Sequence, residues 1–411
     1  MTYSMLNLEV SYVSFEKRET GWYVVTKKIS GQQPTDDKRI LFFDKAGRKY
    51  EDLGLPVVTA DDSKEFSFYV SDWDAEWFDL YPYYGYSGWY KDVIHKYENT
   101  QPASDSDIYI LGRAYSVYAG SLLSDQLGFS LPAESFHLPL KLNVITPRQI
   151  HQYEQISQNG INLFQQLQKQ NPAFETRVGN ISIKYAHEVM AMFHNLLVFA
   201  PEYAKTIKLP DNLYPDSTIT IARVILGFCS KNAIYLSFGD NDFYPELYLQ
   251  QHDRLRRDVY LFNYSLLGLD HFIYRFSQPQ FDAAGIKFQA DTSLYKNDHN
   301  NYILLTDSAK SFTVPQLIMK LKNYKGDQPM KLGGNIFSLR LRKPGIKENL
   351  FEYKELKFEQ KYILLNQWIL LDMIEHLNGR ELNMSNLFYD DLKPLNLFLK
   401  QNNLIYRLGS N

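Results

Sequence analysis

Residues 233–276, AIYLSFGDNDFYPELYLQQHDRLRRDVYLFNYSLLGLDHFIYRF, constrain the fold of this chain more than any other stretch. Residues 233–238 form a short apolar run rich in β-formers and closed by Gly239, the pattern of a strand buried on both faces of a parallel sheet. A Gly-Asp-Asn-Asp turn follows, then a helix carrying Leu247 and Leu249, and residues 259–262 make a second buried strand that ends at Asn263. In open α/β sheets, ligands bind beyond the carboxyl ends of the strands. Two such units in succession therefore crowd Asp240, Asn241, Asp242 and Asn263 onto one edge, which is the expected site.

The rest of the chain divides around this stretch. Residues 6–15 alternate, with Leu8, Val10 and Tyr12 set against Glu9 and Ser11. Further β-rich runs lie at 22–29, 40–43 and 66–70, separated by turn clusters at 31–37 and 45–48, so residues 1–72 read as a small antiparallel β domain. Residues 72–89 are dense in aromatics, which suits either a hydrophobic plug or a surface that stacks on a sugar or grips a peptide.

Helices then take over at 88–98 and from Asp105, where Ile108, Leu111, Tyr115, Tyr118 and Leu122 step by three and four. Tyr153, Ile156, Phe164 and Leu167 mark a third helix ending at Asn171-Pro172. Val178, Ile181, Tyr185, Val189, Met192 and Leu196 mark a fourth. Two helix pairs of this size resemble tetratricopeptide-type repeats, so residues 73–215 read as a helical-repeat-like middle domain, either a partner-docking platform or a spacer.

Pro210 and Pro215 punctuate the linker into residues 216–411. There a helix at 218–228 precedes the organising stretch, and strands near 302–305 and 337–341 flank a helix at 315–324. A long helix at 362–377, a segment at 387–389, a helix at 392–400 and a strand at 404–408 close the chain. The expected fold class is α+β and multidomain: an N-terminal antiparallel β domain, the helical middle, and a C-terminal α/β domain whose mainly parallel sheet is covered on both faces.

Composition narrows the function classes. The chain has 411 residues, 45% hydrophobic and 22% charged, a balance that builds folded cores rather than disorder. Its net charge of −3 offers no global field for nucleic acid or an anionic membrane. Cys229 is the single cysteine, so an intramolecular disulfide and a multi-cysteine zinc site are excluded, and it reads as a small buried hydrophobe. The amino terminus lacks a signal-peptide pattern, and the apolar run at 363–371, interrupted by Asn366 and Gln367, is too short to span a bilayer. The chain is therefore expected to be soluble, without direct membrane insertion, and cytoplasmic, or periplasmic if a leader has been removed. His187 and His194 lie seven apart without an HExxH pattern, no serine sits in a nucleophile elbow, and Gly333-Gly334 is an isolated pair. No metal site and no cofactor are expected, with Mg²⁺ or Mn²⁺ as the one exception weighed below.

The run GDNDFYPELYLQQHDRLRRDVYLFNYSLLGLDHF resembles the soluble carboxy-terminal region of a bacterial membrane-protein family of unknown function, related to animal transmembrane protein O-mannosyltransferases. That family's motif reads GDND, Thr, aromatic, Pro, then YLQ, Arg-Pro-Asp-Val, Asn-x-Ser-Leu-Leu and Asp. The matching positions are Gly239 to Asp242, Tyr244, Pro245, Tyr248 to Gln250, Arg256, Asp258, Val259, Asn263, Ser265 to Leu267 and Asp270. The likeness continues more faintly to the end of the chain, through YILLNQWILLDMIEHLNGRELNMSNLF and NNLIYRL. Phe243 stands where the motif has Thr, Arg257 where it has Pro, and Leu365, Asn366 and Gln367 where it has a charged pair. The resemblance covers about residues 230–411 and not the multispan membrane portion that precedes this region in the family with its catalytic base, so glycosyl transfer is not expected to carry over. The resemblance adds Asp270 to the expected ligand-binding residues.

Three roles fit the acidic turn. Asp240 and Asp242 form an Asp-x-Asp pair, which in many nucleotide-sugar enzymes holds a divalent cation against a diphosphate, although the same spacing recurs at Asp72/Asp74 and Asp105/Asp107. The carboxylates and Asn241 equally suit acceptance of hydrogen bonds from sugar hydroxyls or a peptide. Either aspartate also suits capping of the following helix, with Asn263 tying the neighbouring turn. His252 and His271 lie close in sequence to this edge as candidate acid–base groups. The expected function is a non-catalytic interaction or scaffold protein that recognises a peptide or glycan on a partner. The alternative is a divalent-cation-dependent enzyme acting on a sugar or phosphate ester at the Asp240/Asp242 edge.

Overall fold

The computed structural model describes residues 10–18, 21–29, 39–44, 49–52, 89–98, 100–123, 136, 138, 145–176, 178–296, 300–306, 308, 310–326, 329–342, 351–359, 361–385 and 399–408. The class is α+β, and the chain divides into two units: residues 1–138 with 145–188, and residues 139–144 with 189–411. The boundary falls inside one helix, earlier than Asp216, where composition alone sets it.

The first unit opens with an antiparallel meander of β1 (Val10–Arg18), β2 (Gly21–Ile29), β3 (Arg39–Asp44) and β4 (Lys49–Asp52), paired in that order. Three of these strands carry the expected β-branched and aromatic runs. The fourth strand lies directly after β3 in sequence, and the expected run at 66–70 falls outside the described residues, as does almost all of the aromatic segment at 72–89.

Helices α1 (Trp89–Glu98), α2 (Asp105–Leu123) and α3 (Pro147–Gln170) follow. α3 starts where its sequence says it should. The Thr146 hydroxyl accepts from the Gln149 amide while the Gln149 side chain accepts from the Thr146 amide, and Pro147 occupies the first helical position. Its far end is tied to the start of α2, because Asp105 accepts from both Gln170 and Asn171. That settles the Asp105/Asp107 pair as structural: Asp107 is occupied by Tyr97 and Ser104. α2 and α3 cross at two glycines. A Cβ on Gly112 would stand 2.8 Å from the fully buried Phe164 ring, and one on Gly160 would stand 3.0 Å from the Gly112 carbonyl.

Residues 175–180 do not continue into the fourth helix as Val178 suggested. They form a small hairpin, β5 (Glu175–Thr176) with β6 (Gly179–Asn180), and α4 (Ile181–Phe199) starts after it, with the Asn180 carboxamide accepting from the Ser182 amide. A hairpin thus stands between α3 and α4 where a tetratricopeptide unit has a short turn.

The second unit is organised on a five-stranded sheet. After α5 (Asp216–Phe228) come β7 (Ile234–Ser237), α6 (Asp240–His252), β8 (Tyr260–Asn263), a 3₁₀ turn (Tyr264–Gly268) and α7 (Asp270–Phe276). Further along lie β9 (Tyr302–Leu305), β10 (Ser311–Thr313), α8 (Val314–Asn323), β11 (Lys331–Leu332), β12 (Ile336–Arg342), β13 (Phe351–Lys357), β14 (Tyr362–Leu364), α9 (Leu365–Glu375), β15 (Leu382–Met384), β16 (Leu399–Asn402) and β17 (Ile405–Leu408). The sheet order is β16-β17-β15-β7-β8. β7 pairs in parallel with both β8 and β15, while β17 and β16 add antiparallel strands at one edge.

Strands alternate the faces they present. Ile234, Leu236, Tyr260, Phe262, Leu382 and Met384 join the main core with Trp368, Ile369 and the buried face of α8. Tyr235, Ser237, Leu261, Asn263 and Asn383 are left for the opposite face. α6 is buried on nearly all sides from Phe243 to Gln250, as a helix without a polar stripe must be.

Two expectations are corrected in this unit. β9 and β12 do not extend the central sheet: they belong to two separate three-stranded sheets, β11-β9-β14 and β10-β12-β13. The reason lies in their burial. β7 and β8 are buried at every position, whereas β12 alternates between buried Phe337, Leu339 and Leu341 and half-buried Ser338 and Arg340, which marks a strand with one face covered. The helix expected over 362–377 begins only at Leu365, because residues 362–364 pair with β9. Of the helix expected at 392–400, residues 392–398 lie outside the described residues, and Leu399 and Lys400 are strand.

The crossing of α2 and α3 gives a test of opposing signs. Replacing a helical glycine by alanine ordinarily stabilises by about 1 kcal/mol, but overpacking against a locked ring costs about 1–3 kcal/mol. Gly112→Ala is expected to lower unfolding stability in urea by about 1 kcal/mol; a stabilised variant would show that Phe164 yields.

Candidate functional site

The site begins at a backbone angle. Gly239 closes β7 with φ 91° and ψ 170°, a conformation open to glycine and strained for other residues. Space is not the reason for it, since no heavy atom lies within 4 Å of where a Cβ would stand. The turn sends the chain straight into α6, so the acidic residues are the first turn of the helix itself. Gly239 occupies the cap position with no side-chain cap bond, so neither Asp240 nor Asp242 is the capping residue itself, although Asp242 accepts from the Phe238 backbone. The two aspartates stand at the first and third helical positions, where negative charge meets the positive end of the helix. Asp240 and Asn241 are exposed and Asp242 is half-buried. Pro245 lies inside the helix and has no N–H, so it cannot bond the Asn241 carbonyl four residues back.

Asn263, at the end of β8, holds this turn to its neighbour. Its amide oxygen accepts from the Gly239 N–H at 3.2 Å, the Ser265 N–H at 3.2 Å and the Ser265 hydroxyl at 2.9 Å, and its amide nitrogen donates to Asp240 Oδ1 at 3.4 Å. Asn263 is fully buried. It therefore ties the two turns, as expected, and presents no free edge to a ligand.

A third strand end completes the rim. Ser385 follows β15, donates its backbone N–H to the Leu236 carbonyl at 3.0 Å, and donates its hydroxyl to Asp242 Oδ2 at 2.9 Å. The carboxyl ends of all three parallel strands thus meet at Gly239, Asn263 and Ser385. Burial raises the Asp242 pKa against the bonds from Ser385 and the Phe238 backbone that lower it. One turn further along α6, Glu246 is only 2% exposed and its pKa is raised well above 4.5 by burial, with the Asp242 charge adding to the rise. Sequence reading passed over Ser385 and Glu246. The signal for Glu246 was a lone charge in the apolar run FYPELYL; Ser385 had none, since only the topology brings it beside Asp242.

The remaining candidates sit elsewhere. Asp270 starts α7, is buried, and pairs with His271 Nδ1 at 3.0 Å while accepting from the His271 N–H. His252 ends α6, about 18 Å from its start by helix rise, and lies between Asp253 at 2.7 Å and Asp211 at 2.8 Å, whose hydrogen bonds raise its pKa. It is not at the rim. His194 packs against Phe243, Tyr244 and Phe272, and burial holds its pKa down to about 3.

The second half of the sequence motif serves the opposite edge of the sheet. Arg256 donates to the carbonyls of Leu226, Cys229 and Ser230 and pairs with Asp258, while Gln250 donates to the carbonyls of Arg256 and Val259. These bonds knit the connections entering β7 and β8. Cys229 is buried there, its pKa pushed up to about 12 by burial. Among the described residues no three His, Cys, Asp or Glu side chains cluster as metal ligands, and no helix is long and apolar enough to cross a membrane.

Residues 218–334 match the family model of TMEM260-associated domain 2. The matched span runs from α5 past β11 and carries Asp240, Asn241, Asp242, Asn263 and Asp270. It covers less than a third of the chain and stops before β15, so Ser385 lies outside the TMEM260-associated domain 2 match. No curated protein and no solved structure matches the chain.

The buried acids set a pH dependence. A carboxyl whose folded pKa is raised contributes stability below its unfolded value, and that contribution is lost as pH rises through the folded value. Glu246 and Asp242 both act in this direction, so each opposes folding above about pH 5. Glu246→Gln is expected to raise Tm near pH 8 and to change it little near pH 4, at ~2–4 °C for each kcal/mol relieved. An equal shift at both pH values in scanning calorimetry would show that Glu246 is not held neutral.

Proposed function

We propose that this chain is a non-catalytic recognition protein that binds a hydroxyl-rich ligand, a glycan carried by a partner, at the rim formed by the first turn of α6. The observation that carries the reading is the pair of exposed side-chain acceptors where three strand ends converge, the Asp240 carboxylate and the Asn241 carboxamide. An acceptor-rich, rigidly mounted edge suits ligands that offer several O–H donors, and Asn263 and Gly239 fix its geometry before any ligand arrives. The likeness to a domain associated with TMEM260 supports a glycan over a peptide, through the relation to O-mannosyltransferases that the sequence resemblance carries. The helices of the first unit, in this reading, serve partner docking.

The test uses the full chain on an array of neutral glycans, beside the Asp240→Asn/Asn241→Ala double variant, with Mn²⁺ and with a chelator. Binding by the wild type, unchanged by the chelator and weakened about tenfold or more in the variant, is the expected result. Binding or turnover that requires Mn²⁺, together with a Tm raised by millimolar metal and lost in Asp240→Asn/Asp242→Asn, would replace recognition with a cation-dependent enzyme.

A further inference from the structure

The face of the central sheet that lies against α6 holds polar groups that the protein does not satisfy. Among the described residues the Tyr235 hydroxyl, Glu246 Oε2, Gln250 Oε1 and both amide atoms of Asn383 meet no hydrogen-bond partner, and these four residues are 1%, 2%, 0% and 0% exposed. Burial raises the pKa of the Tyr235 hydroxyl, and Ser385 lies beside that hydroxyl and lowers it against the rise. Native interiors hold few such atoms, and each calls for a partner such as ordered water or a ligand.

The groups belong together. Tyr235 and Asn383 are register partners on the paired strands β7 and β15, so their side chains share a face about 5 Å apart. Glu246 and Gln250 are one turn apart on α6, Glu246 lies close enough to Tyr235 to raise the pKa of its hydroxyl, and the Asp242 charge raises that of Glu246. Asp242, half-buried and bonded by Ser385, stands one turn above Glu246, between this layer and the rim.

The chemistry of the set is that of a neutral hydroxyl-bearing partner. Tyr235 and the protonated Glu246 donate, Gln250 accepts, and Asn383 does both. An anion would meet the like charge of Asp242. A cation would require Glu246 to ionise where burial holds it neutral.

We propose that this layer is the inner half of the ligand site whose outer half is the rim, and that it receives a hydroxyl-bearing arm of the ligand, such as the hydroxymethyl group of a hexose, between α6 and the sheet. The proposal rests on the reading of the rim as a glycan-binding edge and adds which part of the sugar is read. Tyr235, Glu246 and Asn383 are then the residues that discriminate between ligands, while Asp240 and Asn241 supply attachment common to all of them.

The test titrates the full chain with methyl hexosides and with methyl xyloside, which lacks the hydroxymethyl arm, by calorimetry. A preferred hexoside is expected to bind about tenfold more tightly than the xyloside. Tyr235→Phe and Asn383→Leu, both close in shape to the native residues, should each weaken the hexoside about tenfold and leave the xyloside unchanged. Asp240→Asn should weaken both. Equal binding of hexoside and xyloside, with Tyr235→Phe changing neither, overturns the inner site and leaves the rim standing. Absence of binding by every glycoside overturns both. A crystal soaked with a hexoside that binds, showing only ordered water beside Tyr235 and Asn383, also overturns the inner site.

Discussion

One side chain sets the geometry of the candidate site. The Asn263 carboxamide oxygen collects the Gly239 N–H, the Ser265 N–H and the Ser265 hydroxyl, and its nitrogen reaches Asp240. Through it the turn leaving β7 and the turn leaving β8 become one rigid body. Without it, the Gly239 and Ser265 N–H groups of two adjacent chain reversals would lose their shared acceptor, a bond worth about 0.5–1.5 kcal/mol each. Gly239 makes the arrangement possible, because its φ of 91° points its N–H at Asn263 while starting α6 in the next residue.

The rim follows from this tie. α6 starts at Asp240 rather than after the acidic turn, so the two carboxylates are fixed on a helix rather than carried on a loop. Asp240 stays exposed, whereas Asp242 is drawn down by Ser385 toward Glu246 and the polar layer on the sheet. Exposed charge at the rim gives way to neutral polar groups beneath it, the gradient on which the proposed reading of a sugar rests, with ring hydroxyls near water and one arm desolvated.

Much of this was legible in the sequence, and what was missed has physical causes. β7, β8 and α5 declared themselves through continuous apolar runs, and the strand-end rule brought Asp240, Asn241, Asp242 and Asn263 to one edge. β13, FEYKELK, escaped because its alternate residues are charged and its pairing with β12 is what buries Leu356. β14 is three residues ahead of a helix and has no pattern of its own. Ser385 lies 143 residues from the Asp242 it bonds, and only the placement of β15 beside β7 joins them. The motif residues Gln250, Arg256 and Asp258 carry the family resemblance, yet they serve the opposite edge of the sheet rather than the rim.

The central claim is that ligand is read at the rim above α6. A ¹⁵N-resolved titration of the full chain with a hexoside that it binds tests this most directly. The account predicts shifts at the amides of Gly239 to Phe243, Ser265 and Ser385, with Arg256, at the far ends of the strands, still. Shifts that cluster on the helices of the first unit, or that leave Gly239 and Asn241 unmoved, would contradict it.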